Sequence, residues 1–468
     1  MVRTQDKLLF SSIVVVIGLI IIGVFGLSNQ KLEYNTIINS GLFEYEQAIT
    51  NESIEEKYFY SDSYFKEDGS VENEHLRTFA MALALAFNPT KRKETVNYNI
   101  NKLLEDLKFK NIEYYDLEKF NKDTIGIAIA NKKLNNKYTL VSVALRGASY
   151  ADEWESNFDL GDSGNAKGFD EASLLVLDRL KDYLKDNNIN SYKLLVTGYS
   201  RAGAVSNLVG VHINEELKEY GIDEEDLYIY TFEAPKGVGK DKEYSNIHNV
   251  VNHNDLVTYF YPEFWGLYRS GKETDITTER TTIKEKYLNI FSDEKIKDLE
   301  EIDKQDFIKE TINLLSKDRS SYSEVSNSLG NLYRMVKNNT SNRRIIDFIK
   351  NHSKGMGVSE IISVMGIINL DEDNARSSFD VFMNRYDKYY DEIKNEISYE
   401  EYEKFKDDLF KVLMFFQSTI KSDYNNNYMF YHILTISNNL DKLLEEHYFS
   451  TNFEQVKKLD SYYDNKEE

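Results

Sequence analysis

The stretch from Tyr192 to Gly210, YKLLVTGYSRAGAVSNLVG, constrains the fold more than any other part of this chain. It begins with an apolar run, Leu194 to Val196, of the kind that a fully buried strand shows. The chain then turns through Thr197 to Ser200 and continues with Arg201 and the small residues Ala202 to Val205. The pattern predicts a buried strand, a sharp turn and a helix that lies close against the strand.

Ser200 stands in the turn with a small residue two positions away on either side. This is the layout of a nucleophile elbow, G-x-S-x-G between a strand and a helix, with Gly198 before the serine and Ala202 at the second glycine position. The residues two away from the serine must be small, because larger side chains would collide with the facing strand and helix. Gly203 and Ala204 are small enough to let the helix approach the sheet. The alternative is an ordinary connection with a helix-capping serine.

Strands and helices alternate along the first part of the chain. The predicted strands are 124–130, 138–145, 194–196, 227–232 and 249–252, and the predicted helices include 74–87, 95–107 and 168–186. This alternation predicts an α/β fold with a mostly parallel sheet flanked by helices. Residues 30–73, which are polar and rich in tyrosine, are predicted to form a helix followed by a loop.

The sequence changes character after Ile276. Residues 283–424 contain no proline and show helical apolar spacing, including a long helix predicted over 379–416. We therefore expect a core at 31–282, a helical cap insertion at 283–427 and a C-terminal segment at 428–468 that returns to the core.

An apolar segment lies near the start of the chain. Leu8–Leu27 is an uncharged run of 20 residues, long enough to cross a bilayer as a helix. Arg3 and Lys7 precede it, so the positive-inside rule places the rest of the chain outside the cell. Residues 1–30 are thus predicted to anchor a single-pass protein in the cell membrane. The alternative is a cleaved signal peptide and a secreted protein.

Charge and cysteine content exclude several classes of function. The net charge of −22 argues against a nucleic-acid partner. The absence of cysteine excludes disulfides, thiolate metal sites and a cysteine nucleophile.

A nucleophilic serine needs a base, a group that orients the base, and donors for the developing oxyanion. The acid of such a triad follows a strand that comes after the elbow. Asp255 fits, because it follows the strand ending at Asn252, in the loop HNDLV. The alternative for Asp255 is a turn-forming or capping aspartate.

Five segments in order resemble the class 3 lipases. They are VSVALRGA (141–148) with Asp152-Glu153-Trp154, the Gly168-Phe169 pair, VTGYSRAGA (196–204), YTFEAP (230–235) and VVNHNDLV (250–257). The third is similar to V-T-G-H-S-L-G-G-A, the fourth to Y-T-F-G-x-P and the fifth to V-x-N-x-x-D-x-V. The resemblance covers about residues 120–275. It implies an α/β-hydrolase fold and serine ester hydrolysis, with Ser200 as nucleophile and Asp255 as the triad acid.

Three positions depart from the family pattern. Tyr199 replaces the histidine before the serine, and Ala148 replaces the oxyanion threonine or serine, so we expect the backbone N–H groups of Ala148 and Arg201 to serve as oxyanion donors. Arg269 stands where the family usually places its histidine, and arginine cannot act as a base near neutral pH.

The base must therefore come from elsewhere or be absent. Three of the seven histidines precede the acid, one lies two residues before it, and one lies inside the insertion: His75, His212, His248, His253 and His352. His447, after a predicted helix at 431–446, resembles the C-terminal histidine segment of bacterial members of this group, and is the predicted base. The alternatives are His432, or no catalytic histidine, with His447 only interacting with the helix dipole.

These residues predict a serine hydrolase of the lipase or esterase type that needs no metal and no organic cofactor. Its expected partners are an ester or lipid substrate and the membrane, and no nucleic acid. The competing hypothesis is a catalytically silent surface protein that uses the fold as a binding scaffold. A third possibility keeps the triad but hydrolyses a thioester or a peptide.

Overall fold

The computed structural model describes residues 34–46, 53–87, 97–117, 125–147, 155–261, 263–278, 372–395, 397–419 and 445–464, with single positions at 319, 325, 328, 331, 348 and 352. The predicted membrane segment Leu8–Leu27 and Ala148 lie outside these residues. Within the described ranges, no helix combines the length and the apolar character that a membrane crossing requires.

A seven-stranded sheet forms the centre of the molecule. Its strands, in spatial order and in sequence order, are β3 (Lys110–Tyr115), β4 (Ile127–Lys133), β5 (Thr139–Leu145), β6 (Tyr192–Tyr199), β7 (Leu227–Phe232), β8 (Ile247–Val251) and β9 (Lys272–Asp275). The first three strands pair antiparallel, and β5 to β9 are all parallel. The predicted mostly parallel α/β sheet is confirmed, and β3 and β9 are strands that the sequence patterns did not indicate.

The sheet separates two hydrophobic cores. Along β6, Leu194 and Val196 belong to the core on one face, and Leu195 and Tyr199 belong to the core on the other. Because side chains alternate along a strand, a continuous apolar run is what a strand buried on both faces requires.

Helices cover both faces of the sheet. The helices of the core are α1 (Glu74–Ala86), α2 (Tyr98–Asp106), α3 (Lys167–Asp186), α4 (Arg201–Glu215), α5 (Leu217–Tyr220), α8 (Phe449–Lys458) and α9 (Ser461–Asp464). Residues of α3 and α4 pack in one core, and residues of α1 and α8 pack in the other. Asn73 caps α1 by accepting a hydrogen bond from the Leu76 N–H, which explains where this helix begins.

The helix predicted within residues 30–73 is wrong. The chain there forms an antiparallel hairpin of β1 (Asn39–Glu46) and β2 (Ser53–Tyr60). Burial alternates along β1 from one residue to the next, because Phe43 and Tyr45 are buried while Leu42 and Glu44 are exposed. This alternation fits a strand that covers the core with one face.

The described part of the predicted insertion is helical. The single helix predicted over 379–416 is instead two helices, α6 (Glu372–Asp387) and α7 (Tyr399–Thr419). They share a separate hydrophobic core that contains Ile393 and Ile397 from the connection between them, so the turn is held by its own buried side chains. The boundaries 31–282, 283–427 and 428–468 stay predictions.

Candidate active site

Ser200 lies in a strained turn at the carboxyl end of β6. Its backbone has φ 58° and ψ −125°, in the left-handed half of conformational space that residues other than glycine rarely adopt. The Ser200 N–H donates to the Phe232 carbonyl at 2.8 Å, which ties the turn to the end of the adjacent strand β7. The conformation matches the predicted elbow between a strand and a helix.

The small residues around Ser200 are required by space. A Cβ atom added to Gly198 would lie 2.4 Å from the Ala202 carbonyl oxygen, and one added to Gly203 would lie 3.0 Å from the Phe232 carbonyl oxygen. The methyl group of Ala202, at the second glycine position, is fully buried.

Three side chains form a continuous hydrogen-bonded array. His447 Nε2 lies 2.8 Å from Ser200 Oγ, and His447 Nδ1 lies 2.5 Å from Asp255 Oδ2. Asp255 is fully buried, and its Oδ1 accepts from the Val257 N–H at 2.9 Å. Asp255 thus also caps a short 3-10 helix at Leu256–Tyr259, which is the alternative predicted for this residue.

The main chain around His447 is held by its neighbours. The residue ends a short 3-10 helix at Glu445–His447, and the Tyr199 hydroxyl donates to the His447 carbonyl at 3.2 Å. Asn452 Nδ2 donates to the same hydroxyl at 2.7 Å and to the Glu446 carbonyl at 2.8 Å. Tyr199 stands where the family has a histidine before its serine, and here it supports the segment that carries His447. Burial raises the pKa of the Tyr199 hydroxyl well above its usual range.

The N-terminal hairpin holds the segment that carries His447. Phe453 of α8 is fully buried, and its ring meets the Phe43 ring of β1 edge to face at 5.5 Å between centroids. Lys457 forms an ion pair with Glu56 of β2 at 2.9 Å. Nothing in the sequence around either segment indicated this contact between the two ends of the chain.

The other described histidines have different partners. His75, His212, His253 and His352 each face a carboxylate other than Asp255, and His248 is buried with Nε2 2.8 Å from the Gly69 carbonyl. His432, the alternative base, lies outside the described residues.

Arg269, at the family histidine position, links two loops to strand β9. It donates to the Ala234 carbonyl at 3.1 Å, to the Thr258 carbonyl at 2.5 Å and to Glu273 at 3.0 Å. These contacts hold the loop that contains Asp255 against the end of β7.

The two expected oxyanion donors are placed differently. Arg201 is the first residue of α4, where a main-chain N–H has no acceptor within its own helix. Its guanidinium donates to Ser156 Oγ at 2.6 and 3.1 Å, so the side chain points away to another loop. Ala148 lies outside the described residues.

Glu233 is a site residue that the sequence analysis missed. Its side chain is fully buried and in hydrogen-bond contact with Asp255. Burial, and then the charge of Asp255, raise the pKa of Glu233 well above its ordinary value. The available signal was a glutamate in YTFEAP, at the position where the family motif has glycine.

The described residues hold one cluster with the composition of a cation site. Glu74, His75 and Asp460 bring ligand atoms within 4.8 Å of one another. His75 stacks on Tyr462 with 3.5 Å between ring centroids, and its Nδ1 lies 2.7 Å from Asp460. The cluster shares no residue with the Ser200 array.

Sheet, elbow and array together define a lipase-like α/β fold with a mostly parallel central sheet. Residues 142–265 match the family of lipases of class 3, which is the family that the sequence segments resemble. The matched range contains Ser200 and Asp255 but not His447. No curated protein matches the chain.

Several solved lipases are similar to this chain. A deletion mutant of the Rhizomucor miehei lipase propeptide complex is 20% identical to this chain, with a TM-score of 0.33. The match covers 43% of this chain and 66% of the lipase chain, which is just under two thirds of the length of the lipase. Lipase II from Rhizopus niveus is 15% identical, over 51% and 84%, with a TM-score of 0.34. A triacylglycerol lipase whose catalytic centre is a serine protease triad is 22% identical, over 37% and 69%, with a TM-score of 0.27. At this level of similarity, the activity of this chain has to be inferred from its own site.

Proposed function

We propose that this protein is a serine hydrolase that cleaves carboxylic esters through an acyl-enzyme. The observation that carries the proposal is the array in which one imidazole reaches Ser200 Oγ with Nε2 and Asp255 with Nδ1. A serine hydroxyl is a weak nucleophile at neutral pH, and a positioned base with an oriented tautomer is what activates it.

Each residue of the array has a role in the proposed reaction. His447 takes the proton from Ser200 as the hydroxyl oxygen attacks the ester carbonyl, and later gives that proton to the leaving alcohol. Asp255 accepts from Nδ1, which keeps Nε2 free to act as the base, and it stabilises the imidazolium that forms. The main-chain N–H groups of Arg201 and Ala148 would donate to the oxyanion. Water then releases the acid, and the chemistry requires neither a metal nor an organic cofactor.

A lipid ester is the proposed substrate class. The match to class 3 lipases over residues 142–265 favours it, and so does the apolar surface next to Asp255. Tyr259 and Phe260, four and five residues after the acid, are 40% and 46% exposed. Exposed aromatic side chains in the loop that carries the triad acid would provide a surface for an acyl chain.

The labelling of Ser200 tests the proposal. A fluorophosphonate reacts with an activated serine, so the full-length protein should be labelled and should hydrolyse a short-chain p-nitrophenyl ester. Ser200→Ala should lose both activities while unfolding at the same temperature, because removing one hydroxyl hardly changes the packing. Labelling of a different residue, or wild-type turnover in this variant, would refute the assignment and favour the silent scaffold.

Matched histidine variants test the base. His447→Gln should reduce turnover by about 10⁴-fold or more, as the loss of a triad member does. His253→Gln is the control, because its ring lies in the same loop as Asp255 but pairs with Glu273 at 3.0 Å. His432→Gln tests the alternative base. If His447→Gln stayed active while His253→Gln or His432→Gln lost most of its turnover, the role of His447 would be refuted.

We also propose that Leu8–Leu27 anchors the protein in the cell membrane with its catalytic part outside, which would hold the site near lipid. The full chain should then sediment with membranes and be open to external protease in intact cells. Recovery of a shortened protein from the medium would instead indicate cleavage of a signal peptide.

A further inference from the structure

Two buried carboxyl groups meet at the carboxyl ends of β7 and β8. Glu233 follows the last residue of β7, Asp255 follows β8, and the side chains of both are fully buried. They are in hydrogen-bond contact, although two ionised carboxylates only repel each other. One of the two must therefore carry a proton.

Glu233 also has a strained backbone. Its φ of 49° lies in the left-handed region, where glycine, the residue of the family motif Y-T-F-G-x-P, is unstrained. A residue with a Cβ atom persists there only when its surroundings hold it. The Glu233 N–H donates to the Val250 carbonyl at 3.0 Å, and both carboxyl oxygens lie 3.1 Å from the Asn252 N–H.

The charges around the pair decide where the proton sits. Each oxygen of Asp255 has a donor of its own, the imidazole of His447 at Oδ2 and the Val257 N–H at Oδ1. The two oxygens of Glu233 share a single donor, the Asn252 N–H, and lie beside the negative charge of Asp255. Tyr199 is within electrostatic reach of Glu233, and the guanidinium of Arg269, the cation that acts on Glu233, is paired with Glu273. The proton therefore belongs to Glu233.

We infer that Glu233 is a positioning residue, whose protonated carboxyl donates a hydrogen bond to the Asp255 carboxylate at neutral pH. The inference rests on the proposed Ser200–His447–Asp255 mechanism and adds a fourth member to it. The bond orients Asp255 toward His447 and withdraws part of the negative charge from its oxygens. Without that bond, Asp255 would keep its full negative charge and would stabilise the imidazolium of His447 more strongly.

Glu233→Gln is the decisive variant because it separates a neutral side chain from a charged one. The glutamine amide can donate to Asp255 while its oxygen accepts from the Asn252 N–H, so it replaces a protonated glutamate contact for contact. Glu233→Met has a similar length but no donor. The pKa of the His447 imidazole is the readout, since a purely structural role would not move it in a defined direction.

The experiment measures that pKa by NMR in the full chain with ¹³Cε1-labelled histidine. The Ser200→Ala background is used, and the His447 signal is assigned by its absence in His447→Gln. We expect Glu233→Gln to leave the pKa of His447 within about 0.3 units of the reference, and Glu233→Met to raise it by about one unit. In the Ser200 protein, the acid limb of kcat/KM against pH should move in the same directions.

Two results would overturn the inference. If Glu233 were ionised, Glu233→Gln would remove a negative charge beside Asp255, and the pKa of His447 would fall in both variants. An unchanged pKa in both variants would show that Glu233 does not act on Asp255. If the methionine variant fails to fold, Glu233→Ala, which also lacks a donor, takes its place, and the glutamine variant by itself tests whether Glu233 is ionised. The NMR measurement needs no turnover. The hydrolase proposal is tested separately by the labelling of Ser200, so its failure can be told apart from a failure of this inference.

Discussion

The elbow predicts a large effect from a single methyl group. In Gly198→Ala, the new Cβ would lie 2.4 Å from the Ala202 carbonyl oxygen, 2.5 Å from its carbon and 2.8 Å from Ser206 Oγ. Ordinary contact begins at 3.4 Å, so the first turn of α4 must retreat by about 1 Å. Two of the three atoms are backbone atoms, which cannot move aside as the end of a flexible side chain can.

That shift would act on stability and on catalysis together. Overpacking a buried site costs about 1–3 kcal/mol in the free energy of unfolding. Ser200 immediately precedes α4, so a shift of this size would move its Oγ relative to His447, and a misplacement of about 1 Å costs about 100-fold in rate. We expect Gly198→Ala to lose about 100-fold in kcat/KM for a p-nitrophenyl ester and to unfold at lower denaturant concentration.

Gly210→Ala, in the same helix, is the control. Its new Cβ would meet side-chain atoms of Ile229 and Ile247 at 3.0–3.2 Å, which can rotate, and the site lies ten residues from Ser200. We expect its kcat/KM to stay within a few-fold of the wild type. Wild-type kinetics and stability in Gly198→Ala would refute the steric explanation of the elbow, and equal losses in both variants would show general damage to α4.

Three further predictions concern residues outside the Ser200 array. Tyr199→Phe removes the hydroxyl that accepts from Asn452 Nδ2, so it should cost about 1 kcal/mol in unfolding and lower kcat more than it changes KM. Arg319→Met should lower the denaturation midpoint, because the guanidinium donates to several carbonyls between residues 160 and 165, which would lose their partner. Burial lowers the pKa of His248, so the folded state resists its protonation. Stability should therefore fall as the pH falls below about 6.5, and a titration of unfolding free energy should show a smaller fall in His248→Gln.

The local pattern determined the strand, the turn and the helix around Ser200. A buried strand needs an apolar run and a tight turn needs small neighbours, and both requirements are visible within ten residues. The same holds for Asp255, because a residue that follows a parallel strand lies at the same edge of the sheet as the residues that follow its neighbours. The fold class followed from the alternation of strands and helices.

Only the tertiary structure decided what surrounds Ser200. His447 is 247 residues away, and no local spacing distinguishes it from the other histidines. The position of His447 depends on α8, which packs on the hairpin of β1 and β2. The sequence indicates short polar strands such as β1 only weakly, because one face of such a strand stays exposed and polar. Glu233 is likewise an ordinary acidic residue in the sequence. Its role arises only from burial beside Asp255, because the protonation of a carboxyl group depends on the charges and the solvent around it.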